Sequence, residues 1–473
     1  MIPAMYEQCL NKCKKFVQEE EISSVCLTTD CWTSINGESF LAVTMHFVDK
    51  LFNVRQMLLK CHQLNERHTS INLARALQTI IEEWSLTNKV SLIVSDNAAN
   101  IKKAIEDLGM KHLGCFAHSL NLIVQDALKL VEPTITKVKS IVTHFKKSSA
   151  ANAKLMQYQK NLGTSCPKKI LQDVSTRWNS TFVMLQRFVE LEESIRSTIA
   201  LLNISLPIIT LEEWDLIKNL VDILRPFETV TSSVSGEKYI SASLVIVFTA
   251  CLLNVMEEMI TSGELKSDLS NQVIAKLKNG LQTRFTNIEF NVTLAANTFL
   301  DPRFKLLPFQ SAVAADQIKK KVTNMAADLV VQIRAPPQPE MEKEKEPTTG
   351  SESTRSKYSL WSSLDNKISK KQPIGTGISK AIIEVQRYIE DDILNKDEDS
   401  LLWWKNNRHN YPTLSSLVRN KFALATSVPC ERLFSKAGQI LNERRTRLSA
   451  QKVEKLLFLH INNDFLNFRY SSL

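Results

Sequence analysis

Glycine is scarce in this sequence, with 11 residues among 473, and proline is modest at 14. Collagen-like, linker-like and turn-dense all-β chains are therefore poor matches, and a helix-rich α/β chain is the better expectation. No CxxC pair occurs. Nine cysteines, an odd number, are spread from Cys9 to Cys430, and Cys9 and Cys13 have no His-x-x-x-His partner downstream. Neither a disulfide framework nor a structural zinc finger is read from them, and reduced thiols in the cytosol or nucleus are expected. No basic-plus-apolar leader opens the chain. The longest apolar stretch, 244–255, is interrupted by Thr249 and Asn254 and is shorter than a bilayer requires. The expectation is a soluble intracellular protein with neither a membrane nor a small molecule as its partner.

What is present in quantity is apolar surface: 44% of residues are hydrophobic, enough for a large core and against global disorder. The length suits about three domains. The 59 Lys and Arg outnumber the 50 Asp and Glu, a net charge of +9. That excess suits an anionic partner such as nucleic acid, and equally a basic surface with no partner.

β-branched and aromatic runs of strand length occur at 25–29, 40–48, 54–61 and 90–95, with a short one at 112–115. Polar breaks at Asn36-Gly37 and Asp49-Lys50 make the first three a meander of antiparallel strands. Between the later runs, helical periodicity predicts a helix over 69–84, with Ile71, Ala74, Leu77, Ile80, Ile81 and Trp84 on its apolar face. Further helices are predicted at 98–108 and from Ala117. Three strands, helix, strand, helix, strand, helix is the order of an α/β core rather than a bundle. From about 143 to 333 helical patterning dominates. One helix carries Trp214, Ile217, Leu220, Val221 and Leu224, and Pro226 is expected to end it. Residues 335–377 are polar, charged and rich in Pro, Ser and Glu, which reads as a disordered surface linker. Helical patterning then resumes to the end. The divisions are 1–21, a helical lead-in; 22–142, the first part of the α/β core; 143–334, helical; 335–377, linker; and 378–473, helical.

Several residues carry chemistry. Asp30, in SVCLTTDCWTS, closes the first strand and either caps the next turn or sits at a polar mouth above the sheet. Asp96, in SLIVSDNAAN, repeats the arrangement and is either a helix N-cap or a second carboxylate at a strand end, where ligands of open α/β sheets gather. Two such carboxylates can share a hard divalent cation. Cys115 and His118, in GCFAHSLNL, are ligand types at i and i+3, or a packed thiol beside a hydrogen-bonding imidazole. Arg177 and Trp178, in STRWNS, can hold a phosphate and stack on a base, or form a buried tryptophan beside a salt-bridged arginine. Glu431, in SVPCERLFSKAG, begins an amphipathic helix with Leu433, Phe434, Ala437 and Leu441 on its apolar side, just after Pro429. It either serves chemistry or answers the helix dipole. Arg444, Arg445 and Arg447 form a basic patch beyond, and the apolar segment 453–461 suits a subunit interface or a core.

TTDCWTS, VSDNAAN, CFAHSLNL, STRWNS, FLDPRFK, WWKNNRHNYP and SVPCERLFSKAG, in this order, resemble the hAT superfamily of DNA transposases. More closely, they are similar to its domesticated relatives among the zinc finger BED-type proteins. The resemblance runs from about residue 22 to 463, and seven motifs in order are specific where one would not be. It implies a ribonuclease H-like core interrupted by a large all-helical insertion (143–334), with a C-terminal hAT dimerisation segment that completes the core. It implies a homodimer, with Trp403, Trp404, Leu433, Phe434 and Leu441 as the dimerisation residues. In active members two aspartates and a glutamate hold Mg²⁺ or Mn²⁺ for DNA strand cleavage and transfer, here Asp30, Asp96 and Glu431. Cys115 and His118 then lie near that site, and Arg177 and Trp178 contact DNA, Trp178 by stacking on a flipped base. The chain begins directly before the core, so it is expected to lack the BED finger and any structural zinc. A domesticated nuclear protein that dimerises and associates with DNA or chromatin is the first expectation, and an active metal-dependent transposase is the alternative.

Overall fold

The computed structural model describes residues 2–20, 22–34, 37–174, 177–202, 205–236, 241–263, 265, 267–334, 377–440 and 448–467. A five-stranded mixed sheet forms from β1 (Val25–Thr33), β2 (Ser39–Val48), β3 (Val54–Leu64), β4 (Val90–Ser95) and β5 (His112–Gly114), in the order β3-β2-β1-β4-β5. The first three strands pair antiparallel, and β1–β4 and β4–β5 pair parallel. The α/β core and its meander are thus as the sequence indicates. β1 is longer than its apolar run because strand pairing with β2 carries it past Asp30 to Thr33 opposite Ser39.

Strands β1, β2 and β4 are buried on both faces over most of their length, as is the middle of β3. Leu27 and Ile93 face a core shared with α1 (Ile2–Glu19), α2 (Ser70–Glu83) and α3 (Ala99–Asp107), and Cys26, Leu92 and Val94 face the helical body. Two-sided burial explains why these strands read as continuous apolar runs rather than alternating ones. Helix α2 starts where expected, with the Thr69 hydroxyl accepting from the Asn72 N–H. Its buried stripe is Leu73, Leu77, Ile80 and Ile81, while Ile71, expected on that face, is 67% exposed.

The helical body begins with α4 (Phe116–Leu128) and continues through α5 (Glu132–Lys147), α6 (Ser149–Asn161), α7 (Trp178–Glu190), α8 (Glu192–Leu202), α9 (Leu211–Val234), α10 (Leu244–Ser262), α11 (Asp268–Arg284), α12 (Val292–Phe299) and α13 (Ala312–Arg334). Pro226 does not end its helix. Helix α9 opens on a reciprocal Thr210–Glu213 capping box and runs through the proline to Val234. The apolar stripe continues past Pro226 in Phe227, Val230 and Val234, all buried, and this packing outweighs the ~3 kcal/mol that an interior proline costs. The apolar run at 244–255 also extends further than expected: with its preceding turn it makes a 22-residue helical segment, Ser241–Ser262, long and apolar enough to cross a membrane by length and composition. Leu244, Val245, Ile246, Leu252 and Met256 are buried in the helical body, the packing of a core helix.

The C-terminal part divides between the two cores. Helices α14 (Gly377–Glu390), α15 (Ser400–Asn407) and α16 (Pro412–Lys421) pack on the helical body, whereas α17 (Val428–Ile440) and α18 (Ala450–Ile461), followed by α19 (Asn463–Asn467), pack on the sheet. Val453, Leu457 and Phe458 are buried there, so the 453–461 segment is core. FLDPRFK fastens the first group. Asp301 accepts from Ser243 Oγ (2.7 Å) and from Arg303 Nε and Nη2 (2.9 and 2.7 Å). Lys305, buried, donates to the carbonyls of Asp391 and Asp392 just past the end of α14 and lies 4.9 Å from the Tyr388 ring centre. Asn462 fastens the second. Its side chain accepts from the Leu58 N–H (3.0 Å) and donates to the Leu58 carbonyl (2.9 Å), as a neighbouring strand would do for edge strand β3. Residues 335–376 of the expected linker, and Arg444, Arg445, Arg447 and Leu441, lie outside the described residues.

Candidate acidic site at the strand ends

The last paired step between β1 and β4 is Thr28 opposite Val94. Two residues past that step stand Asp30, still on β1, and Asp96, the first residue after β4. Because side chains alternate along a strand, Asp30 shares the face of Cys26 and Thr28. The two cap readings do not hold as stated. Asp30 lies inside its strand, opposite Ala42, and accepts from its neighbour, the Cys31 N–H, at 2.8 Å. The N-cap position of α3 is Ala98, and Asp96 instead accepts the Ala98 N–H at 3.3 Å, an Asx turn leading into the helix.

Glu431 arrives from the far end of the chain on the first turn of α17, which starts at Val428, earlier than expected, and takes Pro429 into its first turn. A buried polar chain holds that helix to the sheet. Cys430 Sγ is 3.3 Å from Thr28 Oγ1, Thr28 Oγ1 is 2.6 Å from Thr44 Oγ1, and Thr44 Oγ1 is 2.8 Å from His46 Nε2. Burial pushes His46 down to about 3, so the imidazole is neutral at physiological pH. One turn later Phe434 stacks on Trp32, ring centres 5.8 Å apart. The loop before α17 is tied to α4: the Ser427 N–H donates to Cys115 Sγ (3.4 Å), and the Phe116 N–H to the Ala425 carbonyl (2.8 Å).

Asp30 feels both of the other carboxylates. Burial first, and then the charge of Asp96, lifts Asp30 to about 7; the Cys31 N–H opposes this and Glu431 adds to it. All the donors are oxygens, the type that suits Mg²⁺ or Mn²⁺, and crowded carboxylates are what such a cation relieves. The set is open, however: among the described residues no three His, Cys, Asp or Glu side chains form a group able to hold a metal as they stand. Glu431 Oε2 lies 3.5 Å from Arg177 Nη2.

Cys115 is the N-cap of α4. Its N–H donates to the Ser95 carbonyl (2.7 Å), which puts it beside Asp96, and its sulfur accepts from the His118 N–H (3.4 Å). Burial raises the thiol, and Glu431 adds to the rise. This is the packed-cysteine reading, placed at the edge of the acidic site. Arg177 and Trp178 also take their structural reading. Arg177 pairs with Glu431, and Trp178 is 2% exposed against Phe182, with its indole N–H buried and unpartnered, so its ring face is not offered to a base.

Of the residues expected to dimerise, Trp404, Leu433 and Phe434 are buried within the chain, Trp403 is partly buried, and Leu441 lies outside the described residues. Trp404 is fully buried and donates to the Leu300 carbonyl at 2.9 Å, and Trp403 stacks on Tyr411 at 5.7 Å. Leu433 and Phe434 are buried against the sheet. They are apolar because they close the two cores. The polar positions Thr28, Thr44 and His46 escaped the sequence reading; three polar residues on otherwise apolar strands were the available signal.

Comparison with known proteins agrees with this architecture. Residues 28–117 match the ZBED1 RNase-like domain, 113–223 the ZBED1 RNase-like helical domain, and 384–462 the hAT family C-terminal dimerisation region. The class is therefore an α/β protein of RNase-like and hAT dimerisation segments. The chain belongs to the hAT superfamily, with relatives among both its transposases and its zinc finger BED-type proteins. It is 25% identical to the Putative AC transposase of Zea mays (91% of this chain, 55% of that protein). It is 25% identical to Zinc finger BED domain-containing protein 4 of Homo sapiens (99% and 40%) and 24% identical to the Putative transcriptional regulator tpeD of Talaromyces stipitatus (96% and 56%). The chain thus spans about half the length of the curated relatives it matches.

Proposed function

We propose that this chain is a nuclear, DNA-associating protein of hAT type that works as a homodimer, and that its acidic site cleaves and transfers DNA strands with a divalent cation. The strand order, with two antiparallel and two parallel pairings, supports a ribonuclease H-like core with the helical body as its insertion. The observation that carries the site reading is that the buried Asp30 carboxyl, raised first by burial, is raised further by the charges of Asp96 and Glu431, residues from two other parts of the sequence. These three would hold Mg²⁺ or Mn²⁺, which when bound supplies charge stabilisation at the scissile phosphate and activation of the attacking hydroxyl or water. The chain's own residues do the positioning. The Cys31 N–H orients the Asp30 carboxylate, the Asx turn fixes Asp96, and the Cys430–Thr28–Thr44–His46 chain holds the helix that presents Glu431. Arg177 is poised to exchange Glu431 for a DNA phosphate.

Mn²⁺ binding by calorimetry, on wild type and on Asp30→Ala, Asp96→Ala and Glu431→Ala, tests the reading. Binding lost in each folded variant is expected, and binding indifferent to all three overturns it. A second reading, a domesticated dimeric regulator without cleavage, is favoured by the Arg177–Glu431 ion pair, which neutralises the third carboxylate. Wild-type protein that binds DNA and dimerises but takes up no Mn²⁺ would select it.

A further inference from the structure

Asn97 follows Asp96 directly and lines a cavity of about 420 Å³, which lies between the β5–α4 turn and the segment joining α11 to α12. That size is within the range of small-ligand pockets. The Asn97 side chain is held in place: Nδ2 donates to Ser119 Oγ at 3.0 Å, and Oδ1 occupies the space above Gly114, 2.1 Å from where a Cβ would stand. Only glycine at 114 admits this carboxamide. Across the opening, Asn287 and Asn291 present two more carboxamides, and Phe116 and Phe285 meet with ring centres 4.9 Å apart. Phe290, on the same segment, is 43% exposed. Arg284, at the end of α11, is the only charged side chain lining the cavity among the described residues, and no carboxylate lines it.

Asn291 Oδ1 already caps α12, accepting from the Thr293 and Leu294 N–H groups, but an accessible aromatic face, carboxamide groups and one guanidinium together match a nucleobase joined to a phosphate. An aliphatic ligand would make no use of the arginine and the amides. Asn97 connects this chemistry to the acidic strand end one residue away.

We propose that this cavity binds an unpaired nucleotide of a DNA strand, the base against Phe290 among the carboxamides and the phosphate on Arg284, while the continuing strand leads to Asp96. The assignment rests on the reading of the acidic site as one that handles DNA.

The test uses the full 473-residue chain and a short fluorescein-labelled oligothymidylate, with a blunt duplex of the same length as comparison, followed by fluorescence anisotropy. Phe290→Ala and Arg284→Ala, both at exposed positions, are each expected to weaken binding of the single strand about tenfold and to leave the duplex nearly unchanged. Gly114→Ala, which displaces the Asn97 side chain, is expected to act in the same direction in protein whose circular dichroism matches wild type. No measurable single-strand binding by wild type, or unchanged binding in both Phe290→Ala and Arg284→Ala, would overturn the proposal, as would an equal loss on the duplex. Failure of the acidic site reads out separately. Absent Mn²⁺ binding with a strand affinity that still falls in these variants leaves the pocket standing without the catalytic reading.

Discussion

Asp30, near the end of β1, and Asp96, directly after β4, each stand two residues past the step at which Thr28 pairs with Val94. They are 66 positions apart in sequence by subtraction of their numbers, and the sheet alone brings them together. The burial of Asp30, and after it the charge of Asp96, governs how the protein should respond to pH. In the folded chain Asp30 holds its proton up to about pH 7, against an ordinary value of 3.8. Between those values the folded state binds a proton that the unfolded state has released, so stability falls as pH rises through this window, and the penalty is complete above it. Asp30→Asn removes the penalty. Its melting temperature is expected to exceed that of wild type at about pH 8, with the gap closing toward pH 4. Mn²⁺ added at the higher pH should raise the wild-type value and leave the variant's unchanged.

Arg177 competes for Glu431. The pair is partly exposed and its atoms are 3.5 Å apart, so its worth to the fold is small, within about 1 kcal/mol. Arg177→Ala is expected to unfold in urea close to wild type, to bind Mn²⁺ more tightly and to bind DNA more weakly. Weaker Mn²⁺ binding in the same variant would show that the arginine orients the glutamate rather than occupying it.

Trp178 carries a buried indole N–H without a partner. Trp178→Phe removes that donor while keeping an aromatic ring, and the relief of an unsatisfied group offsets part of the lost packing. The variant is expected to stay within about 1 kcal/mol of wild type by chemical denaturation. Its single-strand affinity is expected to be unchanged, since the ring is not accessible.

Trp404→Phe should lose the bond to the Leu300 carbonyl and leave that acceptor buried, at a cost of about 1–3 kcal/mol. Its oligomeric state by light scattering is expected to match wild type, because the side chain is wholly internal. A folded monomer where wild type is a dimer would return this residue to the subunit interface.

Thr44→Val interrupts the chain between Thr28 and His46, leaving the buried His46 Nε2 without its partner and Thr28 with Cys430 alone, again at about 1–3 kcal/mol. Because Cys430 hangs on the same chain, Mn²⁺ affinity should fall with it. A stability loss with unchanged Mn²⁺ affinity would confine these residues to a structural role.

Strand identity was legible because β1, β2, β4 and the middle of β3 are buried on both faces and so appear as unbroken apolar runs. Their ends were less legible. β1 passes Asp30 because β2 continues beside it, a tertiary effect that no local pattern carries. Pro226 misled for a similar reason, since the packing of Phe227, Val230 and Val234 decides the length of α9. The acidic residues were legible only through motif resemblance, as nothing local joins Glu431 to Asp30. The apolar character of Trp403, Trp404, Leu433 and Phe434 was read as outward-facing, and a sequence cannot distinguish a seam inside one chain from one between two.

Asn462 presents its carboxamide to both backbone groups of Leu58, across 404 positions. Until that residue has been synthesised, the outer strand of the sheet has an open edge, and Glu431 likewise comes late. On the ribosome, the N-terminal half of the core must wait with an unpaired strand exposed, the state in which nascent sheets seek other chains. Truncated messages would therefore yield products prone to aggregation rather than small soluble domains, and a chaperone that shields β3 until the terminal helices emerge would set the yield of folded protein.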